Sequence, residues 1–184
     1  MRMAALLLTM LLLGCGKAPM HMTDISGGMP KLDFRLTRAD GAAVSGESYR
    51  GKVVVLYFGY THCPDVCPTT LANLTDMLGR VKSPDLRVLF VTVDPERDTP
   101  AALKDYAAAF SPQVEGLRGT DQQLASLARL YRVAYTVDKA PPYTVMHSNA
   151  VFFFDRDGRA RLVTTDTTNT AAMAEDVTRL LQTQ

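Results

Sequence analysis

This chain of 184 residues has few cysteines, almost no excess of charge of either sign and no long apolar run. Three cysteines are too few for a disulfide scaffold and an awkward number for one. With 20 Lys and Arg against 19 Asp and Glu, the formal charge is +1, so no strong field attracts nucleic acid or another polyanion. Apolar residues make up 47% and charged residues 21%, which predicts one globular domain large enough to bury a core without disulfides.

The longest apolar run extends from Met3 to Leu13, is interrupted only by Thr9, and follows a single positive charge at Arg2. A membrane-spanning helix needs roughly 20 residues, so this run is too short to cross a bilayer. It fits the apolar core of a secretory signal. No other segment is apolar enough to span a membrane. The secretory signal therefore predicts an exported protein.

The end of this run, Leu12-Leu13-Gly14-Cys15, resembles the lipobox of bacterial lipoproteins, although Leu13 is bulkier than that position usually carries. The resemblance implies that residues 1–14 are a signal peptide and that Cys15, once acylated, becomes the mature N-terminus. The domain would then be lipid-anchored to a membrane of the cell envelope and face the periplasm. The alternative is an ordinary signal peptide followed by an incidental cysteine.

Residues 15–30 are predicted to form the lipidated N-terminus and a flexible tether, because Gly, Pro, Ser and Thr are frequent and periodicity is weak. Met20, His21, Met22 and Met29 lie in this stretch, and thioether and imidazole groups suit copper. A short cluster of this kind in a flexible segment is more often incidental, so both interpretations stay open.

The hydrophobic pattern of residues 31–184 alternates between strand and helix periodicity. An N-terminal β-hairpin is predicted where Leu32, Phe34 and Leu36 alternate with polar residues and Asp40-Gly41 forms a turn. Further strands are predicted at Val53–Phe58, Leu86–Val93, Leu117–Gly119, Val145–Phe154 and Arg159–Thr165. Helices are predicted around Leu71–Leu78, Pro100–Ala109, Gln122–Tyr131 and Ala171–Leu181, with Asp121 as a candidate cap of the third.

This order predicts an α/β domain with a central mixed sheet, helices on both faces and an N-terminal hairpin. Cys63 and Cys67 follow the first central strand and open a helix, a feature that resembles the thioredoxin-like fold. Their spacing of four puts both side chains on one side, about 6 Å apart, which allows either a disulfide or a shared metal ion. The helix N-terminus also favours the thiolate that both roles need.

The environment of Cys63 and Cys67 helps to distinguish the possible roles. A structural disulfide closing so short a loop would stabilise little. A thioredoxin-type motif has two residues between its cysteines, whereas three stand here, and the Thr-Pro-Cys pattern of peroxiredoxins is absent. The wider loop favours a metal, which needs a further ligand. His62 is predicted to point away from the sulfurs, while His147 precedes the apolar strand whose entry packs near a thioredoxin-like cysteine helix.

Three blocks of sequence resemble the Sco (SenC) family of copper-binding thioredoxin-like proteins, which help to assemble cytochrome c oxidase. The blocks are YFGYTHCPDVCP (Tyr57–Pro68), VTVDPERDTP (Val91–Pro100) and YTVMHSNAVFFFDRDG (Tyr143–Gly158). The resemblance implies that Cys63, Cys67 and His147 bind one copper ion, as Cu(I) or Cu(II). Zinc also accepts two cysteines and a histidine, so the resemblance, not the spacing, selects copper.

The family normally has an acidic residue just before this histidine, where this chain has Met146, and the departure leaves the three implied ligands unchanged. The segment Asp94–Asp98 either caps a helix through Asp98 and turns at Pro95, or uses Asp94 or Arg97 to order the copper loop or to contact a partner.

The resemblance therefore implies a membrane-anchored copper chaperone that delivers copper to the binuclear centre of cytochrome c oxidase subunit II, with another periplasmic copper carrier as a possible partner. An alternative is a thiol–disulfide reductase in which Cys63 and Cys67 are the redox pair and copper binding is secondary. A redox or copper sensor is a third interpretation, and no nucleic-acid partner is expected.

Overall fold

The computed structural model describes residues 19–183. Its chain forms ten strands and four α-helices in these residues. The strands are β1 (Thr23–Asp24), β2 (Arg35–Arg38), β3 (Ala43–Ser45), β4 (Val53–Gly59), β5 (Leu86–Thr92), β6 (Val114–Arg118), β7 (Tyr135–Asp138), β8 (Thr144–His147), β9 (Val151–Phe154) and β10 (Ala160–Thr164). The helices are α1 (Val66–Val81), α2 (Pro100–Ala108), α3 (Asp121–Leu130) and α4 (Thr170–Gln182).

Eight of the strands form one mixed sheet in the order β1-β10-β9-β4-β5-β6-β2-β3. Strands β4, β5 and β6 are parallel, while β9 and β10 on one side and β2 and β3 on the other are antiparallel to their neighbours. Every residue of β4 is buried, so both faces of the sheet are covered there, as its unbroken apolar sequence predicts. The predicted mixed sheet and its N-terminal hairpin, β2–β3, are confirmed.

Helix starts follow local capping chemistry, with two differences from the sequence prediction. Thr99, not Asp98, caps α2 by accepting a hydrogen bond from the Ala102 backbone at 3.2 Å. Thr120, not Asp121, caps α3, because its side chain and that of Gln123 bond to each other's backbone N–H in a capping box. The Asp98 side chain therefore does not cap α2, and its carboxylate bonds to Thr61 and Thr92 instead.

The predicted strand Val145–Phe154 is two strands in different sheets. Its first part, β8, pairs with β7 in a separate two-stranded sheet, and its second part, β9, joins the main sheet. Ser148 separates them, because its N–H and hydroxyl bond to the Ala134 backbone and close the base of the β7–β8 hairpin. The sequence prediction missed β7.

The prediction of a flexible tether does not hold for residues 19–30, which pack on the domain. Strand β1 pairs with β10, and the Met22 side chain is buried. The backbone N–H groups of His21 and Met22 both bond to the buried Asp176 carboxylate of α4, each at 2.8 Å. The earlier part of the predicted tether, the signal peptide and Cys15 lie outside the described residues.

Candidate metal centre

The two cysteines lie where β4 gives way to α1. Cys63 is on the connecting loop and partly exposed, whereas Cys67 is in the first turn of the helix and completely buried. The Cys67 N–H donates to Cys63 Sγ at 3.4 Å, so this sulfur caps the N-terminus of the helix. The side chain of Asp65, at the N-cap position, makes no capping hydrogen bond. The sulfur therefore lies in the positive end of the helix dipole.

A glycine at the end of β4 makes room for the buried sulfur. A Cβ atom at Gly59 would lie 3.0 Å from Cys67 Sγ and 2.6 Å from the ring of Phe90. The contact with Phe90 is closer than Cβ atoms tolerate and the contact with Cys67 is tight, so a side chain at this position would force Phe90 to move and crowd the sulfur. The strand thus presents bare backbone to the site.

His147, at the end of β8, brings its imidazole to the same place from the hairpin. Its Nε2 lies 3.2 Å from Cys67 Sγ, and its Nδ1 lies 2.9 Å from the Ser148 carbonyl oxygen. Since a carbonyl only accepts, Nδ1 is assigned the proton and Nε2 presents its lone pair to the sulfurs. The rings of Tyr57 and Tyr60 meet the imidazole edge-on and fix its tilt, with centroids at 6.1 and 5.9 Å.

The ligand atoms of Cys63, Cys67 and His147 all lie within 4.8 Å of one another. Between residues 19 and 183, no other group of three or more His, Cys, Asp or Glu side chains is arranged to hold a metal ion. His62 is not part of the group, because it is half-exposed and its Nδ1 lies near Thr61 and Asp98. The sequence prediction for the orientation of His62 is therefore consistent with the structure.

The two thiols differ in acidity. Burial acts to raise the pKa of Cys63, but hydrogen bonds from the backbone of Asp65 and Cys67 outweigh it and leave the pKa below its ordinary value. Burial raises the pKa of Cys67 to about 12. Burial also lowers the pKa of His147. Without metal, the pair Cys67–His147 is therefore a neutral thiol against a neutral imidazole, while Cys63 is the more readily ionised sulfur.

Asp98 organises the cysteine loop from below. Its carboxylate is fully buried and accepts from the Thr61 hydroxyl and the Thr92 hydroxyl, each at 2.6 Å, and from the Thr61 N–H at 3.0 Å. These bonds tie the loop before Cys63 to the end of β5. The sequence left open either helix capping by Asp98 or loop ordering by Asp94 or Arg97, and in the structure it is Asp98 that bonds to the cysteine loop.

One side of the site is open to solvent. A cleft of about 500 Å³ is lined by residues of the cysteine loop and of the β8 end, including Cys63, Val66, Met146 and His147. Val66 and Met146 are two of the three large apolar side chains that are exposed in residues 19–183, with 46% and 71% of their surface accessible. An ion at the three ligand atoms would be reachable from this side.

The donor set defines which ions fit. Two sulfurs and one imidazole suit a soft or borderline ion, and copper and zinc both accept such ligands. The bond from Nδ1 to a backbone carbonyl is the kind of outer contact that orients a ligating histidine. The three residues therefore fit the copper ion that the sequence resemblance implies.

The methionine and histidine cluster of the N-terminal segment is engaged elsewhere. His21 Nε2 lies 2.9 Å from a Glu175 carboxylate oxygen, and Met22 is buried against the core. Met20 is partly buried near Arg179, whose Nη1 lies 3.7 Å from its sulfur. These residues pack on α4, so a separate copper-handling role has no support in this arrangement.

No helix in residues 19–183 is long and apolar enough to cross a membrane.

Comparison with known proteins gives relatives over most of this chain. Protein SCO2 homolog, mitochondrial, from Bos taurus is 39% identical over 153 residues, which are 79% of this chain and 56% of the relative. The chain spans about half the length of the curated relatives that it matches.

Solved structures with copper bound have the same thioredoxin-like fold. ScoI of Bradyrhizobium japonicum is 38% identical, with a TM-score of 0.74 over 82% of this chain and 99% of that one. ScoI of Arabidopsis thaliana is 32% identical, with a TM-score of 0.76 over 83% and 98%. The family model described as SCO1/SenC matches residues 26–182. The chain belongs to the SCO1/SenC family.

Proposed function

We propose that this protein is a membrane-anchored copper chaperone that binds one copper ion through Cys63, Cys67 and His147. It would deliver that ion to the binuclear copper centre of cytochrome c oxidase during oxidase assembly. The observation that carries the proposal is the convergence of two sulfurs and one imidazole nitrogen within 4.8 Å. Copper bound in the solved relatives from Bradyrhizobium japonicum and Arabidopsis thaliana supports copper as the ion.

The arrangement suits an ion that is carried and passed on. Two thiolates satisfy Cu(I), and the imidazole adds the nitrogen that Cu(II) accepts, so one site serves both oxidation states. Cys67 is completely buried, while Cys63 and His147 both border the open cleft. An incoming ligand from a partner would therefore meet the ion on the side of the cleft.

The sequence resemblances support the partner and the anchor that we propose. The proposed acceptor is subunit II of cytochrome c oxidase, and a second periplasmic copper carrier would supply the ion. Val66 and Met146 give the rim of the cleft an apolar character, which suits contact with another protein surface. Cys15 would carry the lipid that holds the domain at a membrane of the cell envelope.

The test is a titration of the reduced protein, purified in detergent, with Cu(II) and with Cu(I) under a competing chelator. We expect one tightly bound copper per chain and intense sulfur-to-copper absorption for Cu(II). His147→Ala should weaken Cu(II) binding about 100-fold, whereas the neighbouring variant His62→Ala should bind as the parent does. Equal Cu(II) affinity in His147→Ala and the parent would refute the three-ligand site.

A thiol–disulfide reductase is the second candidate, and the unequal thiols favour it. Cys63 is accessible with a lowered pKa, and Cys67 is buried with a raised one, which is the division expected of an attacking and a resolving thiol. Reduction of an oxidised peptide carrying the cysteines of the oxidase copper site tests it. Rapid reduction together with weak copper binding would make this the main function.

A further inference from the structure

The strand that carries His147 is poorly supported by the main sheet. Strands β7 and β8 pair only with each other in the described part of the chain, and a lone two-stranded hairpin is marginal in water. Its base is closed by Ser148 and Ala134. The position of His147 therefore depends on what holds the rest of the hairpin down.

Three side chains fasten the far end of the hairpin to the loop after β5. Tyr143, just before β8, donates its hydroxyl proton to Asp94 Oδ1 at 2.9 Å. Arg97 Nε donates to the other oxygen of the same carboxylate, and its guanidinium stacks 3.9 Å from the centre of the Tyr143 ring. Asp94 is 1% exposed, so both of its oxygens are used by partners inside the protein. We call Asp94, Arg97 and Tyr143 the latch.

The latch continues to the metal centre through Tyr60. The Arg97 guanidinium carbon lies 5.8 Å from the centre of the Tyr60 ring, and that ring meets the His147 imidazole edge-on. The Tyr60 hydroxyl also reaches the Val145 carbonyl of β8 at 3.5 Å. Tyr60 thus lies between Arg97 of the latch and the His147 imidazole and contacts both.

We propose that the latch is the positioning device that holds His147 over the two cysteines, and that it thereby determines how strongly the site holds Cu(II) relative to Cu(I). This inference rests on the proposed copper site. Opening the hairpin removes the imidazole and leaves the two sulfurs, which still satisfy Cu(I) but not Cu(II). The apparent Cu(II) affinity therefore scales with the fraction of chains whose hairpin is closed.

An exposed ion pair between the same two segments provides a matched control. Lys139 of the hairpin loop pairs with Glu96 of the loop after β5, and both side chains are more than half exposed. Exposed pairs contribute little to stability. Glu96→Gln therefore removes a contact that joins the same segments without touching the latch.

The experiment compares the parent, Tyr143→Phe, Arg97→Gln and Glu96→Gln as full chains in detergent, each titrated with Cu(II) and with Cu(I). Tyr143→Phe, which removes one hydroxyl, should lower Cu(II) affinity about 10-fold and leave Cu(I) affinity within about 2-fold. Arg97→Gln should lower Cu(II) affinity further, since it loses the ion pair and the stacking. Both should weaken the thiolate-to-Cu(II) absorption and change the Cu(II) EPR spectrum, whereas Glu96→Gln should match the parent.

Two results would overturn the latch. One is parental Cu(II) affinity and spectra in both latch variants. The other is an equal fall for Cu(I) and Cu(II), which would indicate general loosening of the fold, as would a parallel loss in Glu96→Gln. Failure of the parent itself to bind Cu(II) through His147 would instead refute the proposed function, so the two failures are distinguishable.

Discussion

The two segments that supply the candidate ligands are built in opposite ways. The cysteine loop lies between the central strand β4 and helix α1, with Asp98 fully buried beneath it and Cys67 in the core. The β7–β8 hairpin that carries His147 forms no strand pairing with the main sheet and is held by side chains, through the latch and through partial packing of Tyr135 and Val145 on the core. The sulfurs are therefore fixed by the fold itself, whereas the imidazole is delivered by an appendage that can be adjusted.

The largest effect should come from removing one of the two sulfurs that the fold holds in place. Cys67→Ser removes the buried sulfur, and we expect it to lower the affinity for both Cu(I) and Cu(II) more than about 1000-fold, since a hydroxyl is a poor ligand for soft copper. The measurement is competition against a chelator for each oxidation state. His147→Ala provides the contrast, because it should spare Cu(I). A Cys67→Ser protein that still binds Cu(I) tightly would contradict this division.

The two cysteine sulfurs should be alkylated at different rates. Cys63 is partly exposed with a lowered pKa, whereas Cys67 is buried with a pKa of about 12. At pH 8 the reduced apoprotein should be alkylated by iodoacetamide at Cys63 about 100-fold faster, and that rate should fall as the pH drops below the Cys63 pKa. Peptide mass spectrometry assigns the site. Faster labelling of Cys67 would reverse the assignment of roles.

The support beneath the cysteine loop should be visible as stability. Asp98→Asn replaces one acceptor oxygen by an amide NH2 group, so either the Thr61 N–H loses its acceptor or a Thr61 or Thr92 hydroxyl must turn from donor to acceptor. We expect a loss of about 2 kcal/mol in the free energy of unfolding, measured by urea denaturation. Glu96→Gln, at an exposed ion pair, should change it by less than about 0.5 kcal/mol. Equal losses in the two variants would remove the special role of Asp98.

The smallest effect should come from loosening the base of the hairpin. Ser148→Ala removes a side chain that bonds to the Ala134 backbone, but leaves the Ser148 N–H bond to Ala134 in place. We expect about a 3-fold loss of Cu(II) affinity and about 0.5 kcal/mol of stability. Isothermal titration and urea denaturation measure the two quantities. A larger copper effect than that of Tyr143→Phe would place the control of His147 at the base of the hairpin.

The same contrast explains what the sequence could predict. Strand β4 and the cysteine pair are local signals: an unbroken β-branched and aromatic run, then two sulfurs at helical spacing. The place of His147 just before an apolar strand of the expected fold suggested the third ligand, and the resemblance of three sequence blocks implied it as well. The role of Asp98 was missed because one of its partners, Thr61, lies 37 residues away, and a capping role fitted the local pattern equally well.

Two other elements depend on contacts that are distant in the chain. The short strand β1 pairs with β10, and the segment before it bonds to Asp176, more than 150 residues further on. Local composition in residues 19–30 therefore predicted a tether where the structure has a packed segment. Strand β7 has only four residues and is a strand because it pairs with β8. Four residues are too few for an alternating pattern to predict a strand.

The most direct test of the three-ligand site is the Cu(II) EPR spectrum of protein labelled with ¹⁵N-histidine, recorded for the parent, His147→Ala and His62→Ala. The site described above predicts coupling to a single histidine nitrogen that is lost in His147→Ala and unchanged in His62→Ala. Coupling that persists in His147→Ala, or that disappears in His62→Ala, would contradict it.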